Sequence, residues 1–286
     1  AMEGGTVVAL YSDYGAPTGG PRAAVLKGAV LRRAPRAAVV DVCHTVPPDW
    51  LCEASFWVER CWREFPPGTV HLCVADPGRG NQRDIVCGQR GGHLFVAYDN
   101  GVLEPVLGAC PAACRRVDLS LGSPLRQWGL DASSSFQDKD ILAPLAALLA
   151  ARKVQLSELG PPVQELIPAV YEGPERLAGG GVKGMVVATD AYGNLITNIP
   201  AEVVHGVHAP VVQAGQLVFR FQQAYGSSAP GAHLALANSF GVVELARAEG
   251  SLADASHLSR GAPVRLVSSE AAEAGEKAAA GLDIAK

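Results

Sequence analysis

The chain has 286 residues, 48% hydrophobic and 18% charged, and its 24 basic and 28 acidic side chains give a net charge of −4. That composition supports a buried core and excludes a disordered chain. The slightly acidic balance, without any run of Lys and Arg, excludes a nucleic-acid partner.

In chain order, residues 6–11 (TVVALY) form an apolar run with the character of a buried strand, ending in Ser12-Asp13-Tyr14-Gly15. Residues 21–33 have helical spacing, with Pro21 placed to start the helix. A second strand is predicted over 37–42, a helix over 51–65 and a third strand over 69–75, which runs into Asp76-Pro77-Gly78. Shorter strands follow at 85–87 and 93–97, and a helix at 138–153. Strands alternating with helices predict an α/β N-terminal domain over 1–153, a mostly parallel sheet between helices whose strand C-termini are the expected ligand side. Residues 154–181, rich in Gly and Pro, read as a linker. Short strands at 182–189, 195–199, 211–221, 233–238, 242–246 and 264–267 then predict an all-β C-terminal barrel domain over 182–286, with a fraying tail from 270.

Nothing approaches the roughly 18 apolar residues of a membrane span, and no basic-then-apolar leader is read at the N-terminus, so no membrane partner is expected. Cys43, Cys52, Cys61, Cys73, Cys87, Cys110 and Cys114 are odd in number and mostly in apolar contexts, which suits reduced thiols and a cytoplasmic location. Cys110 and Cys114 have no further ligand pair at metal-binding spacing, so no metal site is expected.

The common nucleotide and hydrolase fingerprints are absent. There is no G-x-G-x-x-G opening a helix, no P-loop, no G-x-S-x-G elbow and no H-E-x-x-H. Present instead, in order, are Ser12-Asp13-Tyr14-Gly15, Asp41-Val42-Cys43-His44, Asp76-Pro77-Gly78 with Arg83, and Asp99-Asn100-Gly101. Phe136-Gln137-Asp138-Lys139-Asp140, Asp190-Ala191-Tyr192-Gly193-Asn194 with Thr197-Asn198, and Asn238-Ser239 complete the set.

Together these motifs resemble the S-adenosylmethionine (SAM) hydroxide adenosyltransferases, relatives of the adenosyl fluoride and chloride synthases, over residues 6–267. The resemblance implies a homotrimer with substrate sites shared between subunits. The implied reaction is attack of water at C5′ of SAM, giving adenosine and methionine, with SAM as substrate and no cofactor. It assigns Asp13 to the ribose hydroxyls, the alternative being a turn residue. It assigns Asp76 and Arg83 to the water-activating set, the alternative being a loop ion pair. Halide-forming relatives carry Tyr where this chain has Asp76, which implies water as nucleophile.

Where hydrolases of the family carry His in F-H-G-R-D, this chain has Gln137, which orients water through its amide but takes no proton. Asp138 replaces a glycine and is expected to act as a surrogate base, to repel halide, or to N-cap the following helix. Phe136, Asp190, Asn194 and Ser239 are the remaining substrate-binding residues that the resemblance implies, Asp190 toward the substrate ammonium unless it is simply a turn residue. Trp50 and Tyr225 are candidates to stack on adenine or line the sulfonium pocket, or else belong to the core. His44 is expected to be a hydrogen-bonded structural residue. Gly19, Gly20, Pro21 and Arg22 replace groups that relatives use to grip the amino acid, which makes Arg22 a candidate for the substrate carboxylate. The alternatives to hydrolysis are a chlorinase-like halogenase and a non-catalytic SAM- or adenosine-binding protein.

Overall fold

A computed structural model describes residues 6–15, 20–76, 83–120, 122–130, 133, 136–178, 180–222 and 228–274. The chain divides into two compact units, Ala1–Tyr171 and Glu172–Lys286.

The first unit contains β1 (Val7–Ser12), α1 (Gly20–Arg33), β2 (Ala38–Cys43), α2 (Leu51–Cys61), β3 (Val70–Val74), β4 (Ile85–Arg90) and β5 (His93–Tyr98). It continues with α3 (Glu104–Leu107), β6 (Cys114–Arg116) and α4 (Ala143–Ala150). Its six strands lie in the order β2-β1-β3-β5-β4-β6. β1 pairs parallel with β2 and β3, and β3 with β5. β4 runs antiparallel to both β5 and β6, so the sheet is mixed rather than mostly parallel. The cause is local: Gly91 and Gly92, at φ +57° and +82°, close a two-residue hairpin that no β-carbon-bearing pair adopts as readily.

Alternation along β1 builds both core layers. Val8 and Leu10 pack with Leu26 and Val30 of α1 and Leu145 and Leu148 of α4. Ala9 and Tyr11 face the opposite layer with Val58 of α2, Trp62 and Phe95. All eight residues of α4 are buried, as expected of a helix apolar on every side. The helix expected over 138–153 is instead one turn of π-helix, Asp138–Leu142, followed by α4. Pro144 supplies no N–H and its ring crowds the preceding turn, and the widened turn accommodates it. Much of the stretch read as a linker belongs to this unit, because Leu159, Val163 and Leu166 are buried in its core layers.

In the second unit β7 (Glu175–Arg176) flanks a closed seven-stranded barrel. Its strands are β8 (Val182–Thr189), β9 (Leu195–Pro200), β10 (Pro210–Ala214), β11 (Leu217–Phe221), β12 (His233–Ala237), β13 (Val242–Arg247) and β14 (Pro263–Ser268), with α5 (Leu252–Ala255) between the last two. Pairing of β8 with β14 closes the barrel. The single strand expected over 211–221 is a hairpin, β10 and β11, turning at Gly215 and Gln216. Val186, Leu195, Val212, Phe219, Val243 and Leu266 fill the interior.

Candidate functional site

Because β1, β3 and β5 are parallel neighbours, their carboxyl ends lie side by side, the position where open sheets of this kind bind ligands. Asp13 directly follows β1, Asp76 lies just past β3, and Tyr98 ends β5. Asp13 is buried, and its Oδ2 accepts a long hydrogen bond from the Asp76 amide at 3.4 Å. Arg83 Nε sits 2.9 Å from Asp76 Oδ1. That contact is an ion pair rather than an aligned hydrogen bond, since the N–H is not directed at the oxygen.

Asp138, in the π turn, joins this group through two phenols. Tyr98 donates to its Oδ1 at 2.6 Å and Tyr14 to its Oδ2 at 3.1 Å. Both phenol pKa values are pushed well above the ordinary range, first by burial and then by the Asp138 charge. The tyrosines therefore stay protonated and act as donors. Asp138 does not N-cap the helix as one reading expected, since the cap position is Gln137 and Asp138 lies inside the turn. Gln137 is half-buried and its side chain caps nothing, while Phe136 is 70% exposed.

Two other motifs position these groups. Asn100 donates through Nδ2 to the carbonyl of Ala75, beside Asp76, at 2.9 Å. His44 bonds Ser12 Oγ through Nδ1 at 2.6 Å and Asp41 Oδ1 through Nε2 at 2.9 Å, and its carbonyl accepts from Gly15 N at 2.8 Å. It thus ties both ends of the turn that carries Asp13 and Tyr14. Trp50 stands half-buried at the head of α2. The Arg22 guanidinium lies 5.9 Å from the centre of the Tyr14 ring.

Sequence reasoning assigned no role to Tyr14 or Tyr98. Tyr14 lies inside one quoted motif and Tyr98 directly before another, and neither place points to their common partner, which is 124 and 40 residues away in sequence.

Asp190, Asn194 and Ser239 come together in the second unit, lining one open cavity of about 770 Å³ with Tyr192, Phe240 and Arg247 among its other walls. Asp190 Oδ1 accepts from the amides of Tyr192 and Asn194 at 2.9 and 2.8 Å, and Oδ2 from Asn194 Nδ2 at 2.9 Å. The turn needs Gly193, at φ +81°, where a β-carbon would strike Ser251. Tyr225 lies outside the described residues. Among the described residues no group of three or more His, Cys, Asp or Glu could hold a metal ion, and no helix is long and apolar enough to cross a membrane.

Comparison with known proteins places these residues in a family. The family model for the SAM hydroxide adenosyltransferase N-terminal domain matches residues 8–160, and that for the C-terminal domain matches 184–265. An (R)-S-adenosyl-L-methionine hydrolase from Thermus thermophilus is 33% identical over 91% of this chain and 99% of its own. A fluorinase from Actinopolyspora mzabensis is 28% identical over 92% of this chain and 97% of its own. The solved structure of an uncharacterized conserved protein from Thermotoga maritima superposes with a TM-score of 0.78 at 26% identity, covering 91% of this chain and 99% of that one. With both of its units matched, the chain belongs to the SAM hydroxide adenosyltransferase family.

Proposed function

We propose that this enzyme hydrolyses SAM by in-line attack of water at C5′, releasing adenosine and methionine. The observation that carries this reading is the Asp76–Arg83 ion pair at the end of β3, with Asp13 on the neighbouring strand end. A sulfonium leaves as a neutral thioether and needs no proton, so the protein has only to bind, orient and partly desolvate the reactants and take one proton from water. Asp76 accepts that proton and Arg83 holds the carboxylate in place. Asp13 accepts hydrogen bonds from the ribose hydroxyls, which sets the position of C5′. Gln137 helps to orient the water. Both Asp138 oxygens are turned onto phenols, so a surrogate-base role for it is less economical than Asp76 acting alone.

On the second unit, Asp190, Asn194 and Ser239 are read as contacts to the amino-acid end of the substrate, with Asp190 pre-oriented by its own turn. Phe136, Trp50 and Tyr225 are read as adenine or sulfonium contacts. The two groups of residues complete each other across subunits of a homotrimer. The seven unpaired cysteines suit a reducing cytoplasm, and no cofactor takes part.

The test is product analysis after incubation with each sulfonium epimer of SAM, since the Thermus relative is named for the (R) form. Equimolar adenosine and methionine, unchanged by added chloride, are expected. 5′-Chloro-5′-deoxyadenosine as the main product, or tight binding without turnover, overturns the reading.

A further inference from the structure

We propose that Tyr14 and Tyr98 are specificity-determining positioning residues that pin Asp138 as a fixed negative charge on the nucleophile's side of the site, closing it to halide and leaving it open to water. This rests on the hydrolase reading above and deepens it.

The geometry is a carboxylate held at both oxygens. Tyr98 approaches from the end of β5 at 2.6 Å, the length of a strong charge-assisted O–H···O bond, and Tyr14 from the turn after β1 at 3.1 Å. One donor comes from the turn after β1 and the other from the end of β5, so both oxygens of the side chain are held at once. The π turn presents Asp138 from a third element. Each phenol also feels a candidate site carboxylate, Tyr98 that of Asp76 and Tyr14 that of Asp13, while Arg22 lies near the Tyr14 ring. Asp138 is therefore held by the residue that follows Asp13 and by the end of β5, the neighbour of the strand that leads to Asp76, where Arg83 is paired.

For water such a pocket supplies acceptors. For a univalent anion it supplies repulsion. One uncompensated charge about 6 Å away, in an effective dielectric of about 20, disfavours an anion by about two decades. A relative of this chain is named fluorinase, so halide is the competitor that the scaffold has to exclude. Without the phenols, Asp138 is free to swing away and its charge no longer guards the nucleophile position.

The test measures partition, which general loss of activity does not move. SAM is incubated in chloride with the wild-type enzyme, Asp138→Asn, Tyr98→Phe and Tyr14→Phe, and the ratio of 5′-chloro-5′-deoxyadenosine to adenosine is read. In the chloride reaction the Cl–C5′ bond forms as C5′–S breaks, the electron pair leaves with the methionine sulfur, and no proton moves. Asp138→Asn is expected to raise the ratio at least about tenfold, with Tyr98→Phe raising it less and Tyr14→Phe least. A ratio in Asp138→Asn equal to wild type overturns the guarding charge, and a wild-type ratio in both tyrosine variants overturns the pinning.

Wild-type enzyme that releases no adenosine overturns the hydrolase reading instead. The clamp is then read without turnover, from crystal structures of the wild-type and Tyr98→Phe proteins. The Asp138 carboxylate is expected to hold one position on both phenols in wild type and to lose it in Tyr98→Phe. An Asp138 side chain in the same ordered position in both overturns the clamp.

Discussion

Asp76 carries the heaviest demand of any single residue. Its backbone amide reaches Asp13, its Oδ1 meets Arg83, and the carbonyl before it is held by Asn100. A side chain fixed in this way can accept a proton without first reorganising. Asp76→Asn keeps the shape and removes the acceptor, so kcat should fall by about 10²-fold or more while KM changes little. Steady-state kinetics decide the point. A fall in kcat below about threefold would move the proton elsewhere. At this scale the sequence was partly legible. Asp13, Asp76 and Arg83 were singled out by the family resemblance of the motifs that carry them, and the structure joins Asp76 to Arg83 at 2.9 Å and its amide to Asp13 at 3.4 Å. Tyr14 and Tyr98 were not readable, because their meaning depends on Asp138, and only the order β1-β3-β5 and the π turn bring the three together.

Among elements, short-range chemistry explains the differences between expectation and structure. The Gly91-Gly92 turn reverses β4 inside an otherwise parallel run, and the Gly215-Gln216 turn splits one apolar run into two strands. Periodicity alone ranked both below the apolar pattern around them. Pro144 sits two residues into α4, where a proline is tolerated, and its effect falls on the preceding turn.

The sheet also carries a buried imidazole pair on β3 and β5. His71 bonds Tyr11 Oη through Nδ1 and His93 Nδ1 through Nε2, each at 3.1 Å, and stacks on Phe95. Burial and then the neighbouring His93 push the His71 pKa down to about 3, and burial lowers that of His93. Both rings are therefore neutral in the fold, whereas in the unfolded chain they bind protons below about pH 6.5. Between about pH 6.5 and 3 the unfolded state holds more protons, so stability falls as pH drops through that window and this contribution is flat above it. Urea midpoints should decline over that range for wild type and less steeply for His71→Phe. Equal slopes would remove the pair from the account.

Over the whole molecule, the sequence changes from alternating helices and strands to short strands rich in Gly and Pro, and the structure clusters into two compact units, Ala1–Tyr171 and Glu172–Lys286. The boundary was less legible, because the Gly- and Pro-rich stretch after α4 hides Leu159, Val163 and Leu166, three apolar residues that pack into the first unit. The candidate residues also fall into two groups, one on each unit, with chemistries that divide the labour of the proposed reaction. In the proposed reading, carboxylates, phenols and a guanidinium on the first are assigned to the ribose and the nucleophile, and a polar turn beside Ser239 on the second to the amino-acid end. The central claim is that the oxygen delivered to C5′ comes straight from water. A single turnover in oxygen-18 water, with mass analysis of the nucleoside, tests it. The account predicts adenosine labelled at O5′ in that first turnover. Unlabelled adenosine would contradict it, because the oxygen would then have come from a carboxylate of the protein through an ester at C5′.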